Sequence, residues 1–359
     1  VLILLILSKA FVNFGKNHLS CFVAHSLSNR AAALLLLAFV ASPVVAADPG
    51  KPNVPAPTLG GKQFWSDELL FRDWRIQRNV LTANYRLLDE NDVRRAWGTF
   101  ADCRAKLEEI KRERSLPPMR GRVVILLHGL GRTRSSTRHM AKYLAEQGNL
   151  TVLEFGYAST RAEVAEHAKS LASVIAHLDG VDEIDFVAHS LGNLVIRHML
   201  GDETEQTEGH RADPRIKRIV MLAPPNNGAK LAQLLADSKL FKSIAGPTGA
   251  ELGPHWAELE RHLAVPTCEF GIIAGGRGEH ADAHGDEHGR NPLLQGDDDL
   301  IVAVPETKLP GASDFLVLPA LHAFMMDEPK VQEATLSFLL HGYFESADRR
   351  HPLGKGTAD

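Results

Sequence analysis

The chain has 359 residues, 44% of them apolar, enough for one large domain with additions or two small ones, and for a sizeable core. Lys and Arg number 40 against 44 Asp and Glu, a formal charge of -4. That balance excludes nucleic acid as the main partner, because phosphate binding needs a basic surface. In chain order, residues 1–47 come first and differ from all that follows. "VLILLIL" opens the chain; Arg30 then precedes an apolar run from Ala31 to Val45, and Val45-Ala46-Ala47 stands before Asp48. A basic start, a short apolar stretch and small residues at a cleavage point are the pattern of a secretory signal. The run is roughly 15 residues, short of the roughly 20 that a spanning helix needs. Residues 1–47 are therefore read as a leader, with export to the periplasm or medium after cleavage near Ala47; the alternative is an uncleaved N-terminal anchor. Without the leader, Cys103 and Cys268 remain. An exported protein can bridge them, and two buried thiols are the alternative.

Asp48 to Gly61 is rich in Pro and Gly and reads as a linker. From Phe64 to Arg114 charge mixes with Leu70, Phe71, Trp74 and Leu81 at near-helical spacing, so 48–118 is expected to be a linker and a helical preface. From Gly121 the style changes. "RVVILL", "LTVLEF", "IDFVA", "RIKRIVMLA", "CEFGIIAGG" and "DFLVLP" are short apolar runs, as strands buried on both faces should be. Between them, "SSTRHMAKYLAEQ" is expected to be a helix stopping at Gly148. Thr160 to Glu163 has capping-box spacing before an apolar helical face, and "LGNLVIRHML" is expected to close at Gly201. The alternation implies an α/β fold with a mainly parallel central sheet, helices on both faces and an N-terminal helical extension. The α/β domain is placed at 119–343 and a flexible tail at 344–359.

Ser190 sits where a buried strand ends and a helix begins, in "AHSLG". A tight strand-turn-helix forces its middle residue into a strained backbone and needs small neighbours; Ala188 and Gly192 supply them. The turn aims the helix N-terminus, with its unpaired N–H groups, at the reacting oxygen. Upstream, His128-Gly129-Leu130-Gly131 follows the first buried strand. Acyl transfer needs two N–H donors where the carbonyl oxygen becomes negative; Leu191 and Leu130 are the candidates. His128, Gly129, Gly131, His189 and Gly192 are read as supporting the turn. A serine needs a base. His189 adjoins Ser190 but points elsewhere on an elbow, so His322, after the last strand, is chosen by its place in the alternation. The acid orienting it should fall after "CEFGIIAGG", in "GDDDLIV". Asp299 is favoured because it precedes the apolar "LIV", with Asp297 and Asp298 as alternatives.

"HGLG", "AHSLG", "APPNNG", "GDDDLIV" and "LHAFMM", in that order, resemble the α/β-hydrolase superfamily, and within it bacterial lipases and esterases, over roughly residues 119–343. The resemblance implies Ser190 as nucleophile, Asp299 as acid, His322 as base, and the Leu130 and Leu191 amides as the oxyanion hole. Ala188 stands where Gly is commoner. Leu300 stands where the related Asp-Gly-x-Val pattern has Gly. The implied activity is hydrolysis of carboxylic esters through an acyl-enzyme, with no cofactor and no metal; the alternatives are an acyltransferase using another acceptor and a non-catalytic binding module. The expected partner is a small-molecule or lipid-like ester, with peripheral contact to lipid. "AKLAQLLADSKLFKSIAG" is expected to form an amphipathic helix within 229–262, as a lid, a pocket wall or plain core. His280, His284 and His288 recur every four residues, as zinc ligands on a helix would, but Gly278, Gly285 and Gly289 favour a loop.

Overall fold

A computed structural model describes residues 56–57, 62–205, 213–278 and 290–354. The leader, most of the linker and the three spaced histidines lie outside the described residues.

The helical preface is not what forms. Residues 56–98 contribute five strands, β1 (Ala56–Pro57), β2 (Trp65–Phe71), β3 (Trp74–Asn79), β4 (Tyr85–Leu88) and β5 (Val93–Gly98), in an antiparallel sheet ordered β1-β5-β4-β3-β2. The helical spacing came from a turn. Phe71 and Trp74 are three apart because they are cross-strand partners flanking the two-residue turn Arg72-Asp73, with Arg72 at φ +54°. Asp89 then folds the β4–β5 turn, its Oδ1 accepting the Asn91 and Val93 N–H groups at 2.9 Å. The charges that suggested a solvated helix face are buried instead: Asp67, Arg75, Gln77 and Arg86 are all inside. Only after this sheet does a helix form, α1 (Phe100–Glu113), started by a Thr99–Asp102 capping box.

The second sheet is wholly parallel: β6 (Gly121–Leu127), β7 (Thr151–Phe155), β8 (Val181–His189), β9 (Ile216–Leu222), β10 (Glu269–Gly275) and β11 (Asp314–Leu318), in the order β11-β10-β9-β8-β6-β7. Strand alternation divides its core. Val123, Ile125 and Leu127 pack with the N-terminal sheet, α1, α3 (Val164–Ala176) and α4 (Leu191–Glu205). Val124 and Leu126 face the other way, with Met140 and Leu144 of α2 (Arg138–Gly148) and Val331 and Phe338 of α9 (Pro329–His341). Both faces are thus covered, as continuous apolar strands require.

Several local expectations change. Helix α2 includes Gly148 and ends on left-handed Asn149. No capping box forms at Thr160; α3 begins after Glu163, and the Val164 N–H donates to Glu251 Oε2 at 2.9 Å. Gly201 does not close α4. It lets the helix pass the chain, since a Cβ there would lie 2.2 Å from the His262 carbonyl oxygen. The single amphipathic helix is broken into α5 (Lys230–Leu234) and α6 (Lys239–Glu251), followed by α7 (Trp256–Glu260). Helix α6 kinks at Gly246 (φ +62°), where a Cβ would meet the Thr160 carbonyl oxygen at 1.9 Å. After β10 comes the short α8 (Val304–Thr307). The expected flexible tail is tied down as far as it is described: Asp314 accepts the Phe344 and His351 N–H groups at 2.8 and 2.9 Å, and Leu353 pairs with Gly311 and Ala312 through backbone hydrogen bonds. Cys103 and Cys268 are both free thiols. No helix among the described residues is long and apolar enough to cross a membrane.

Candidate active site

The chain leaves β6 toward β7 on one side and then returns to β8 on the other. Connections diverge there, so a crevice opens at the carboxyl ends of β6 and β8. Ser190 lies at that end of β8 and His128 at that end of β6.

Ser190 has φ +53°, a left-handed conformation that strains any residue with a Cβ, by roughly 1–2 kcal/mol. Its N–H donates to the Leu222 carbonyl at 2.9 Å, and its own carbonyl accepts from the Asn193 backbone and side-chain amides at 3.1 and 3.0 Å. The small neighbours have measurable reasons. A Cβ on Gly192 would lie 2.7 Å from Leu127 Cβ. One on Gly129 would lie 3.2 Å from Ser190 Cβ and 3.0 Å from His189 Nδ1, so the His128–Gly131 loop reaches the serine only because residue 129 is glycine. Leu191 is the first residue of α4, and among the described residues neither its N–H nor that of Leu130 donates to a protein acceptor.

His128 is buried and held. Its Nδ1 lies 3.0 Å from the Gly129 carbonyl oxygen, its ring stacks on Tyr157 with centroids 4.2 Å apart, and the Tyr157 hydroxyl donates to the His128 carbonyl. Burial pulls its imidazole down to about 4, so it stays neutral at ordinary pH. The Gly131 N–H donates to Ser159 Oγ at 3.1 Å, with Gly131 at φ +68°.

Of the three aspartates, Asp299 meets the histidine: its Oδ2 lies 2.7 Å from His322 Nδ1, both side chains being buried. Its Oδ1 accepts the Ile301 and Val302 N–H groups at 3.0 and 2.8 Å, and its carbonyl accepts the His322 N–H at 3.0 Å. Asp297 instead receives the Arg277 and Gly278 N–H groups, and Asp298 those of Asn291 and Leu300. Leu300, the departure noted in the sequence, has φ +83°. The turn does demand the conformation glycine adopts freely, and here leucine bears the strain.

Asp299 and His322 are therefore joined, while Ser190 and His322 occupy the same edge without a hydrogen bond between their side chains. His189 lies between the two assignments: its ring is 4.7 Å from that of His322, centroid to centroid, and its buried Nε2 has no protein partner. Burial first, then the neighbouring His322 and Arg132, hold its imidazole well below the ordinary range. Among the described residues, no group of three or more His, Cys, Asp or Glu is placed to hold a metal ion.

Sequence reasoning missed the supports. Arg132 donates to the Ala323 carbonyl at 3.2 Å, linking the end of the His128–Gly131 loop to the segment after His322, and Gln63 donates to the Arg132 carbonyl at 3.0 Å. Asp67 accepts the Gly156 N–H at 2.6 Å, and Ser66 accepts that of Ala158 at 3.2 Å. These contacts join the N-terminal sheet to the loops at the carboxyl edge of the parallel sheet. No local pattern signals them: Ser66 and Asp67 are adjacent polar residues of β2, and their partners Ala158 and Gly156 lie 92 and 89 residues further along.

With this geometry in place, comparison adds the following. The family described as "Domain of unknown function (DUF7379)" matches residues 88–250. No curated protein matches. Among solved structures, the lin2722 product of Listeria innocua is 20% identical, with TM-score 0.42, covering 64% of this chain and 96% of that one. The propeptide form of Bacillus licheniformis lipase BlEst2 is 15% identical, with TM-score 0.46, covering 68% and 52%. The Oleispira antarctica hydrolase olei00960 is 14% identical, with TM-score 0.39, covering 62% and 93%. The architecture itself is a parallel six-stranded sheet flanked by helices.

Proposed function

We propose that the chain is a serine hydrolase of carboxylic esters, acting through an acyl-enzyme. The observation that carries this is the buried Asp299–His322 pair at the same sheet edge as a left-handed Ser190. With Nδ1–H donated to the carboxylate, His322 Nε2 is the basic nitrogen. It takes the Ser190 proton as Oγ bonds to the ester carbonyl carbon, and the oxyanion that forms is received by the Leu130 and Leu191 N–H groups. The imidazolium returns its proton to the departing alkoxide, leaving the acyl-serine. Water then repeats the sequence, with His322 accepting its proton, and the acid leaves. A serine–histidine hydrogen bond that is open in the free enzyme and closes with substrate fits this scheme.

Phe324, two residues after His322, is an exposed large apolar side chain. An exposed phenylalanine this close to the proposed base favours a lipid-like or medium-chain ester. Export with cleavage before Asp48 is part of the same reading, and N-terminal sequencing of the mature protein tests it. For the chemistry, a fluorophosphonate probe should label the protein, and Ser190→Ala should abolish labelling and lower kcat on p-nitrophenyl esters by about 10⁴–10⁶-fold with the fold intact. Undiminished turnover in that variant would refute the assignment; release of acyl–acceptor products in place of acid would favour the acyltransferase.

A further inference from the structure

Three arginines converge where the N-terminal sheet meets the loops of the catalytic edge. Arg75 of β3 and Arg86 of β4 are only 4% and 6% exposed. With Arg134, Trp65, His128 and Tyr157 they line a niche of about 20 Å³. Asp92 is the carboxylate in this lining, and it serves Arg75 at 3.2 Å and Arg134 at 3.0 Å. Arg86 has none. Its Nε and Nη2 donate to Gln77 Oε1 at 3.0 and 2.7 Å, and its guanidinium lies 3.9 Å from the Trp65 ring centroid. Its Nη1 has no protein acceptor among the described residues. The acids behind the niche are engaged elsewhere. Asp67 accepts from Gln77 Nε2 at 2.7 Å and from the Gly156 N–H, and Glu154 accepts from the Thr137 hydroxyl at 2.8 Å and pairs with Arg134 at 3.7 Å.

A buried guanidinium keeps its charge: burial pulls Arg86 down only to about 10. Asp67 and Asp92 act on it through space without a direct ion pair, and a buried charge that lacks a close counter-charge is costly. Gln77 offers a dipole and Trp65 a ring face, each a partial answer. The space then sets the occupant. A water-sized sphere needs roughly 10–15 Å³ of such volume, so the niche has room for one guest of about that size.

We infer that this niche binds a single halide ion, chloride in ordinary solution, on guanidinium N–H groups of Arg86 and Arg75 that have no acceptor among the described residues. The bound ion gives Arg86 a close counter-charge beside the His128–Gly131 loop, since His128 and Thr133 line the same niche. The site is independent of the ester chemistry proposed above.

Two measurements test it. At constant ionic strength, replacing gluconate by chloride or bromide should raise the Tm by about 2 °C, as a ligand selective for the folded state does, and Arg86→Met should abolish the difference. In crystals of the unmodified protein soaked in bromide, an anomalous peak should lie between Arg75, Arg86 and the Trp65 ring. Equal Tm in gluconate and halide, a halide response retained by Arg86→Met, or water density without a bromide peak would each overturn the inference. If Arg86→Met does not fold, the bromide crystal decides alone.

Discussion

Ser190, Ala223 and Leu300 all carry left-handed backbone, at φ +53°, +44° and +83°. The first two follow β8 and β9, and the third follows Asp299. Strain of this kind, of order 1–3 kcal/mol per residue, persists where surroundings over-determine it, typically at functional sites. Two substitutions separate geometry from fold here. Gly129→Ala places a methyl 3.2 Å from Ser190 Cβ; kcat/KM should fall by about 10²-fold, because small misplacements at a reacting centre cost that much, while circular dichroism stays unchanged. Asp299→Asn should lower kcat by about 10⁴-fold through loss of the correct histidine tautomer. Asp297→Asn and Asp298→Asn should instead cost stability, about 1–3 kcal/mol for weakened loop hydrogen bonds, with kcat per titrated active site close to that of the parent. Equal kinetic losses at all three aspartates would remove Asp299 from its role. Position before an apolar run pointed to Asp299 in the sequence, but that clue is weak. Choosing among adjacent aspartates needs the direction of each side chain, which a turn sets and a spacing does not.

At the scale of elements, the parallel strands were legible because each is a continuous apolar run, and the serine turn because strand, small residues and helix are contiguous. The N-terminal sheet was not. Its hairpins place apolar residues three apart, as a helix does, and its polar side chains are buried by partners remote in the chain. The segment after β9 failed for a related reason: amphipathic spacing does not reveal a kink imposed from outside. Gly246→Ala tests that cause. With φ +62° and the Thr160 carbonyl in the way, it should destabilise the protein by about 2–3 kcal/mol in denaturant unfolding. A neutral result would mean that α6 is not pinned to the Thr160 turn.

For the whole molecule, stability should depend on pH through the contact between α6 and α3. Burial raises the Glu251 carboxyl from the ordinary 4.5 to about 7, against the hydrogen bond from Val164 that lowers it. The folded state therefore holds this proton more tightly than the unfolded chain. Its contribution is fully present below pH about 4.5 and is lost as pH rises through about 7. Between those values the stability of the parent relative to Glu251→Gln should fall with pH; a flat or rising difference would contradict the assignment. The two thiols give a second whole-molecule test. Burial raises Cys103 to about 12 and Cys268 to about 11, so both should react slowly with thiol reagents at pH 8 until unfolded, and reductant should leave the Tm unchanged.

What the amino-acid order determined by itself was local: where apolar runs make buried strands, where small residues permit a sharp turn at Ser190, and in what order loop, serine, acid and histidine follow. Those depend on neighbours a few residues away. The tertiary structure decided which aspartate faces His322, that residues 65–98 pair as strands, and that three arginines meet behind the oxyanion loop. Each is a contact between residues remote in the chain, chosen by the packing of whole layers, and no window of sequence holds both partners.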